Sequence, residues 1–530
     1  MIAAAATPSR PAWFDRWDFL MLMRLTRLAM IGMLAALTGT VQAQPVITAA
    51  SLTDEHVTLA IAAIAEELHA RKHPDRFWEP EKVPAGDSTR QKGGYTALVM
   101  LAMLYGGQTY QDPRLRDAVD YLAAHGMEGT YAITLRASVW AKLPPKFREH
   151  LHKDTQWMLD GFSETCGGWD YVQDSNTKRK DNSIRQFGAL ALWEAAKRGQ
   201  RIEKRIWQRI EDAFLDLQLD DGGWNYQGDG PATGSMTAAG LATLFITQEQ
   251  LHAEEAVKIG GFPAPTPRTH PQRGKAIGNR PQLAIERGLA WFDKNFSATE
   301  NPGKDTYFYY YLYGVERVGL ASGYKHFGGK DWFRQGAAEL IQRLCAWDEE
   351  NKKFTIHQTT GGDGRRAKIK TDDLAFAMMF LSRGRVPVAV NKLQFTNDGT
   401  GWNNRPRDVA NLARWLGENT EGDLNWQIVK LDGSPEDWLD APMLYVASHE
   451  ALPFLKDVTI DPAKFADEVK EFIKQRAAGT LPDDAAPPTR PEIPELDKIK
   501  RYLDLGGMML AVNEGNGKKF AESVEAAGLL

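Results

Sequence analysis

The chain has 530 residues, with 64 Lys plus Arg against 69 Asp plus Glu and a net charge of −5. This balance excludes the basic excess of a nucleic-acid binder and the acidic block of a disordered tail, and 43% apolar residues suffice for two or more globular domains. Cys166 and Cys345 are the only cysteines, too few for a disulfide framework or a zinc site built from cysteine alone.

The first readable element is an export signal. Arg24 and Arg27 precede the apolar run Leu28–Leu37, and Val41-Gln42-Ala43 has the small residues of a cleavage site. The run is shorter than the roughly 20 residues that span a bilayer, although an uncleaved anchor is the competing reading. Met21 and Met23 are alternative starts. Cleavage near Ala43 predicts a periplasmic or secreted protein with no membrane span left after processing.

Helical periodicity dominates residues 50–385 and resolves into six pairs. They are Asp54–Arg71 with Tyr95–Tyr105, Pro113–His125 with Tyr131–Leu143, and Lys146–Phe162 with Ser183–Lys197. Then follow Glu203–Leu217 with Met236–Gln250, Gln282–Asn295 with Thr306–Leu320, and Trp332–Ala346 with Asp373–Ser382. The second helix of each pair (YTALVMLAML, FGALALWEAA) is nearly free of charge, whereas the first is amphipathic. Apolar inner helices wrapped by amphipathic outer ones predict an α/α toroid. The Pro-rich stretch 248–280 reads as an inserted loop.

From residue 386 to the end the pattern alternates between strand and helix. Val386–Phe395, Trp426–Leu431, Pro442–Ser448 and Gly507–Val512 are β-rich, with helices at Pro406–Asn419, Ile493–Asp504 and Lys518–Ala527. This predicts a parallel sheet in a small α/β domain, a candidate for truncation at about four strands, with an exposed insertion at Ala477–Pro494. The fold class is thus multidomain: a six-pair α/α toroid, then an α/β domain.

Two phrases punctuate the toroid, Cys166–Tyr171 (CGGWDY) and Asp221–Tyr226 (DGGWNY), with weaker forms at Gly93-Gly94-Tyr95 and Gly129-Thr130-Tyr131. With their flanking helices over residues 90–385, they resemble the repeats of the prenyltransferase and squalene-cyclase superfamily, in which a Gly–Gly–Trp turn joins outer to inner helix. Trp402–Leu416, Leu424–Val429, Asp440–Leu452 and Tyr502–Val512 resemble an uncharacterised bacterial family thought to have a glutamine-amidotransferase-like α/β fold.

The chemistry implied by the first resemblance fails three tests. The protonating Asp-x-Asp-Asp cluster is missing, Asp220-Asp221 and Asp372-Asp373 being bare pairs. No Asp-Asp-x-x-Asp segment is present to bind magnesium and diphosphate. Nor does an Asp-x-Cys pair supply zinc ligands, since Glu164 and Arg343 stand two residues before the cysteines. No metal or cofactor is therefore expected.

Polar side chains do gather where inner helices begin: Thr130, Asp181-Asn182-Ser183, Ser235, Asp305-Thr306 and Thr371-Asp372. In a closed ring they share one mouth, making Asp181, Arg185, Asp305, Asp372 and Asp373 candidate ligand-binding residues. N-capping is the plainer explanation for most of them. Thr306–Gly319 adds Tyr307, Tyr310 and Tyr311, as cavity lining or as packing. In the α/β part, His449 and Glu450 follow a strand end, where such folds place sites, but no nucleophile elbow accompanies them.

Three functions stay open. The leading expectation is an exported toroid that binds a small molecule, lipid or protein partner without cyclase chemistry. A divergent isoprenoid cyclase or prenyltransferase is one alternative. The other is a polysaccharide-lyase-like enzyme, because Lys180–Gln186 (KDNSIRQ) is similar to an Asp-Asn motif of one toroidal pectate-lyase family. The ring interior discriminates among them: dry packing, an apolar tunnel or a polar charged cleft, respectively.

Overall fold

The computed structural model describes residues 46–527, apart from 82–89, 253–257, 260–261, 264–279, 358–368, 397–400, 421, 456–461, 483, 489–492 and 516–517. The expected export signal and most of the 248–280 stretch lie outside the described residues.

Among the described residues, twelve α-helices form the first part. The outer ones are α1 (Asp54–Ala70), α3 (Pro113–Ala124), α5 (Arg148–Asp160), α7 (Lys204–Asp216), α9 (Arg280–Asn295) and α11 (Trp332–Leu344). They alternate with inner helices α2 (Gly94–Tyr105), α4 (Thr130–Lys142), α6 (Asn182–Lys197), α8 (Gly234–His252), α10 (Phe308–Ser322) and α12 (Thr371–Arg383). Each inner helix packs against the next, and α12 packs back against α2, closing a six-membered ring. Composition explains the two layers. In α2 every residue from Thr96 to Met103 is buried, because the helix is enclosed by two inner neighbours and an outer layer. In α7 burial is confined mainly to a stripe through Ile206, Trp207, Ile210 and Phe214, leaving charges for water.

The Gly–Gly–Trp phrases lock this arrangement twice over. Trp169 donates its indole N–H to Met158 O of α5 at 2.7 Å, and Trp224 donates to Phe214 O of α7 at 2.8 Å. Trp78, whose context (FWEP) lacks the glycines, repeats the bond to Leu68 O of α1 at 2.7 Å. Each satisfies a carbonyl that the end of an outer helix leaves unpaired. The rings then lie on glycines of inner helices: a Cβ at Gly188 would come within 2.3 Å of Trp169, and one at Gly240 within 2.5 Å of Trp224.

The tyrosine carbonyls that end both phrases reach back to the preceding repeat. Tyr171 O accepts the N–H of Thr130, and Tyr226 O accepts the N–H of Asn182, each at 2.9 Å. Inner-helix N–H groups that would otherwise be free are thus capped by the backbone of the next repeat. Of the expected side-chain caps, Asp181 serves its own helix, whereas α4, α10 and α12 start with no side-chain cap.

The second part has its own apolar core, running from Val390 to Ala527, beside the toroid core of Ile47 to Leu381. Its strands are β1 (Val388–Gln394), β2 (Asn425–Lys430), β3 (Met443–Ser448) and β4 (Met508–Asn513). All pair in parallel in the order β4-β3-β1-β2. The connections carry helices α13 (Asp408–Thr420), α14 (Pro462–Ala477) and α15 (Pro494–Asp504), and α16 (Lys519–Ala526) follows β4.

This part lies against the C-terminal ends of the inner helices. Arg407 donates to Ala321 O at 2.9 Å, Arg414 pairs with Glu249 at 3.3 Å, and buried Lys325 pairs with Asp440 at 2.8 Å. Among the described residues no helix is long and apolar enough to cross a membrane.

Candidate functional site

The inner helices begin together, so their first turns surround one mouth. Asp181 stands at the start of α6. Its Oδ1 accepts from Ser183 N at 3.0 Å and Ser183 Oγ at 2.5 Å, while Oδ2 accepts from Tyr171 OH at 2.9 Å. Tyr131 OH lies 2.7 Å from Ser183 Oγ, which extends this network to α4. The carboxylate is therefore both a cap and the centre of a rim of hydroxyls. Replacing Asp181 by Ala should cost about 1–2 kcal/mol in urea denaturation, the ordinary value of a lost cap.

Asp372 and Asp373 open α12, which lies opposite α6 in the ring order. Burial, and then the neighbouring Asp372 carboxylate, push the Asp373 carboxyl up to about 6. Asp372 Oδ1 is buried and accepts no hydrogen bond. Tyr95 and Tyr309 flank the pair, and burial followed by those carboxylates raises the Tyr95 phenol. Glu79, itself buried, accepts from Thr96 N and Oγ1 at 2.8 Å and so caps α2 from outside the helix. Across the mouth, the Lys304 ammonium lies 4.2 Å from the Tyr226 ring centre and 5.2 Å from that of Tyr307.

An aromatic floor lies beneath. Tyr310 donates to Gln186 Oε1 at 2.5 Å, and its ring lies 6.0 Å from Phe187 and 5.5 Å from Phe376. Below the floor the interior is charged, with Lys142, Glu194, Arg317 and Arg383 within electrostatic reach of one another.

The sequence candidates divide. Asp181 and the Asp372–Asp373 pair open helices on opposite sides of the mouth, and Tyr310 lies in the floor beneath. Tyr307 is 58% exposed at its edge, in a left-handed conformation with φ of 63°, and Asp305 is exposed. Two expectations require correction. Arg185 is buried beneath α6, donating to Asn182 Oδ1 at 2.6 Å and Cys166 O at 2.8 Å, so it anchors the CGGWDY turn. Tyr311 faces the outer layer, where its hydroxyl donates to Ser297 O at 3.1 Å. The Tyr131, Tyr171 and Ser183 network was missed as a unit. Its signal was a tyrosine opening or preceding successive inner helices.

His449 and Glu450 are remote from the mouth, exposed at the end of β3. His449 Nδ1 lies 2.9 Å from Asn404 Nδ2, and Lys519 donates to Glu450 at 3.2 Å. A cavity of about 300 Å³ opens at the nearby ends of β1 and β2, lined by Gln394, Phe395, Lys430, Asp432 and Lys498, and neither His449 nor Glu450 lines it. Cys166 and Cys345 are free and buried, and burial pushes the Cys345 thiol up to about 12. Among the described residues no group of three potential metal ligands converges.

No family model matches the chain, and no curated protein matches it. Similar solved structures include a possible member of the GH105 family from Klebsiella pneumoniae subsp. pneumoniae, 13% identical, covering 63% of this chain and 93% of its own, with a TM-score of 0.41. Another is a possible GH105 member from Salmonella enterica subsp. enterica serovar Paratyphi A, 11% identical, covering 63% of this chain and 94% of its own, with a TM-score of 0.38. The expectation of a toroid that binds without chemistry is corrected: these neighbours are described as possible members of the GH105 family. The ring interior, moreover, carries buried charged side chains, Lys142, Glu194, Glu316 and Arg383 among them.

Proposed function

We propose that the chain is a carbohydrate-processing enzyme that holds a saccharide across the mouth of the helix ring and acts on it by acid–base chemistry. The observation that carries this reading is Asp373, a carboxyl pushed up to about 6 and set among aromatic walls. Such a group is partly protonated near neutral pH and can pass a proton to a departing sugar oxygen. Asp181, on the opposite side of the mouth and held by Ser183 and Tyr171, is the candidate for the second carboxylate role that glycosidic cleavage requires. The faces of Tyr95, Tyr131 and Tyr307 suit the apolar faces of sugar rings, while the hydroxyl network suits their polar edges. An isoprenoid chain would need an apolar interior below the floor, and that region carries Lys142, Glu194, Arg317 and Arg383. The export signal expected from Arg24, Arg27 and Leu28–Leu37 fits the same reading, since polysaccharides are met outside the cytoplasm.

The test is incubation of the purified chain with uronic-acid polymers and neutral oligosaccharides, assaying both new reducing ends and unsaturated products. Release of either supports the reading. Absence of both across the panel, with no saccharide binding by calorimetry, sinks it.

A further inference from the structure

The far end of the ring, beneath the aromatic floor, carries charge that the acid site does not use. Lys142 and Arg383 end their inner helices, both beside the Tyr105 ring, with the Lys142 ammonium 4.5 Å and the Arg383 guanidinium 4.8 Å from its centre. Lys197 ends α6 and lies 3.8 Å from Glu194. Arg317 comes from the middle of α10 and is only 9% exposed. These four cations face Glu194 and Glu316, with Asp423 within electrostatic reach of Lys142 and Glu249 of Lys197.

The internal pairing is incomplete. Arg383 Nε lies 3.2 Å from Glu316 Oε1, yet neither Glu316 oxygen accepts a hydrogen bond and Arg383 Nη1 finds no acceptor. Arg317 donates Nη2 to Tyr313 OH and leaves Nε buried without a partner. It makes no ion pair with any carboxylate among the described residues. A guanidinium cannot discharge itself by losing a proton, so this arrangement is costly unless an anion completes it.

Helix ends account for part of the charge. Lys142, Lys197 and Arg383 are last residues of their helices and face their own terminal carbonyls. That account fails for Arg317, which stands more than a turn before the end of α10 at Ser322. The surrounding charge is positive at Glu194, whereas at Arg383 the Glu316 and Glu194 carboxylates prevail. Burial by itself would raise the Glu194 carboxyl, but Lys197, Lys142, Arg383 and Arg317 together hold it below its ordinary value. Solvent reaches the edge of this region, where Lys197 keeps 47% and Arg383 15% of the side chain exposed.

We infer that this end of the ring is a second ligand site, for a small oxyanion held by Arg317 and Arg383 with Lys142 at its edge. The anion is a free phosphate-like ion or the carboxylate of an acidic sugar, two sources with the same recognition chemistry. The site does not depend on the reading of the acid mouth. Arg407 and Arg414, before and within α13, meet the nearby ends of α10 and α8.

Calorimetric titration of the full chain at fixed ionic strength, with inorganic phosphate in one arm and glucuronate in the other, tests the inference. One saturable site is expected for at least one probe, phosphate alone identifying a free ion and glucuronate alone an acidic saccharide. Arg317→Met should weaken binding at least about 10-fold, the size of a lost charge-assisted hydrogen-bond pair. Arg317→Lys should restore part of it. If Arg317→Met fails to fold, Lys142→Met removes a cation without unpairing a carboxylate and should weaken binding about threefold. Asp373→Asn should leave phosphate binding unchanged, which separates this site from the mouth. Absence of binding by both probes, or equal affinity in the folded Arg317 or Lys142 variants, overturns the inference.

Discussion

Asn in place of Asp373 is expected to lower saccharide turnover by about 10²–10⁴-fold, the range of a lost general acid, and to make the fold more stable near neutral pH. Both effects follow from a carboxyl pushed up to about 6 by burial and by Asp372. With the folded value above the unfolded one, the native state holds the proton more tightly. The stabilising contribution is therefore complete below the ordinary carboxylate range and is lost as pH rises through about 6. Above that pH the wild-type protein confines an ionised Asp373 beside Asp372, whereas Asn keeps the neutral shape. After allowance for partial exposure, the gain should be about 1–2 kcal/mol at neutral pH and vanish in acid. Wild-type turnover that depends on this proton should fall on the alkaline side of the same pH. Initial rates and urea midpoints at acid and neutral pH measure both effects. An Asn variant with undiminished turnover would remove Asp373 from the chemistry.

The division of labour between helices was legible because burial demands different compositions. A helix enclosed on all sides, such as α2, must be apolar throughout, while α7 can spend half its surface on charge. The four strands were legible for the same reason, as short apolar runs between helices. The orientation of individual side chains in the inner layer was not. An all-apolar helix has no polar face to mark its outside, so nothing local separates Tyr310, which forms the floor, from Tyr311, which faces α9. Arg185 looked like a cation at the mouth because it follows Asp181 by about one turn, yet its aliphatic stem lies under α6 and its head on Cys166 O. The acid site had a further obstacle. Asp373 draws its surroundings from Tyr95 and Glu79, nearly 300 residues earlier, and only ring closure between α12 and α2 brings them together. Nor can side-chain patterns reveal that Tyr226 O caps Asn182 N, since that bond is made by backbone alone.

Ala in place of Trp224 should cost about 3–5 kcal/mol, the range for removing a fully buried indole from a core that relaxes little. The ring is completely buried, and its loss would also leave Phe214 O without the N–H that now lies 2.8 Å away. The counterpart is Gly240, where a Cβ would meet the indole at 2.5 Å. If the tryptophan is a wedge fitted to that glycine, Gly240→Ala should destabilise the wild-type protein by about 1–3 kcal/mol through overpacking. In the Trp224→Ala background it should cost little, because the added methyl enters the vacated space. The cycle therefore predicts strong coupling between two residues 16 positions apart. Tyr226→Phe, which keeps the backbone cap on α6, should shift the urea midpoint far less than Trp224→Ala. Additive effects of Trp224→Ala and Gly240→Ala would show that the phrase fixes the turn locally and does not staple outer to inner helix.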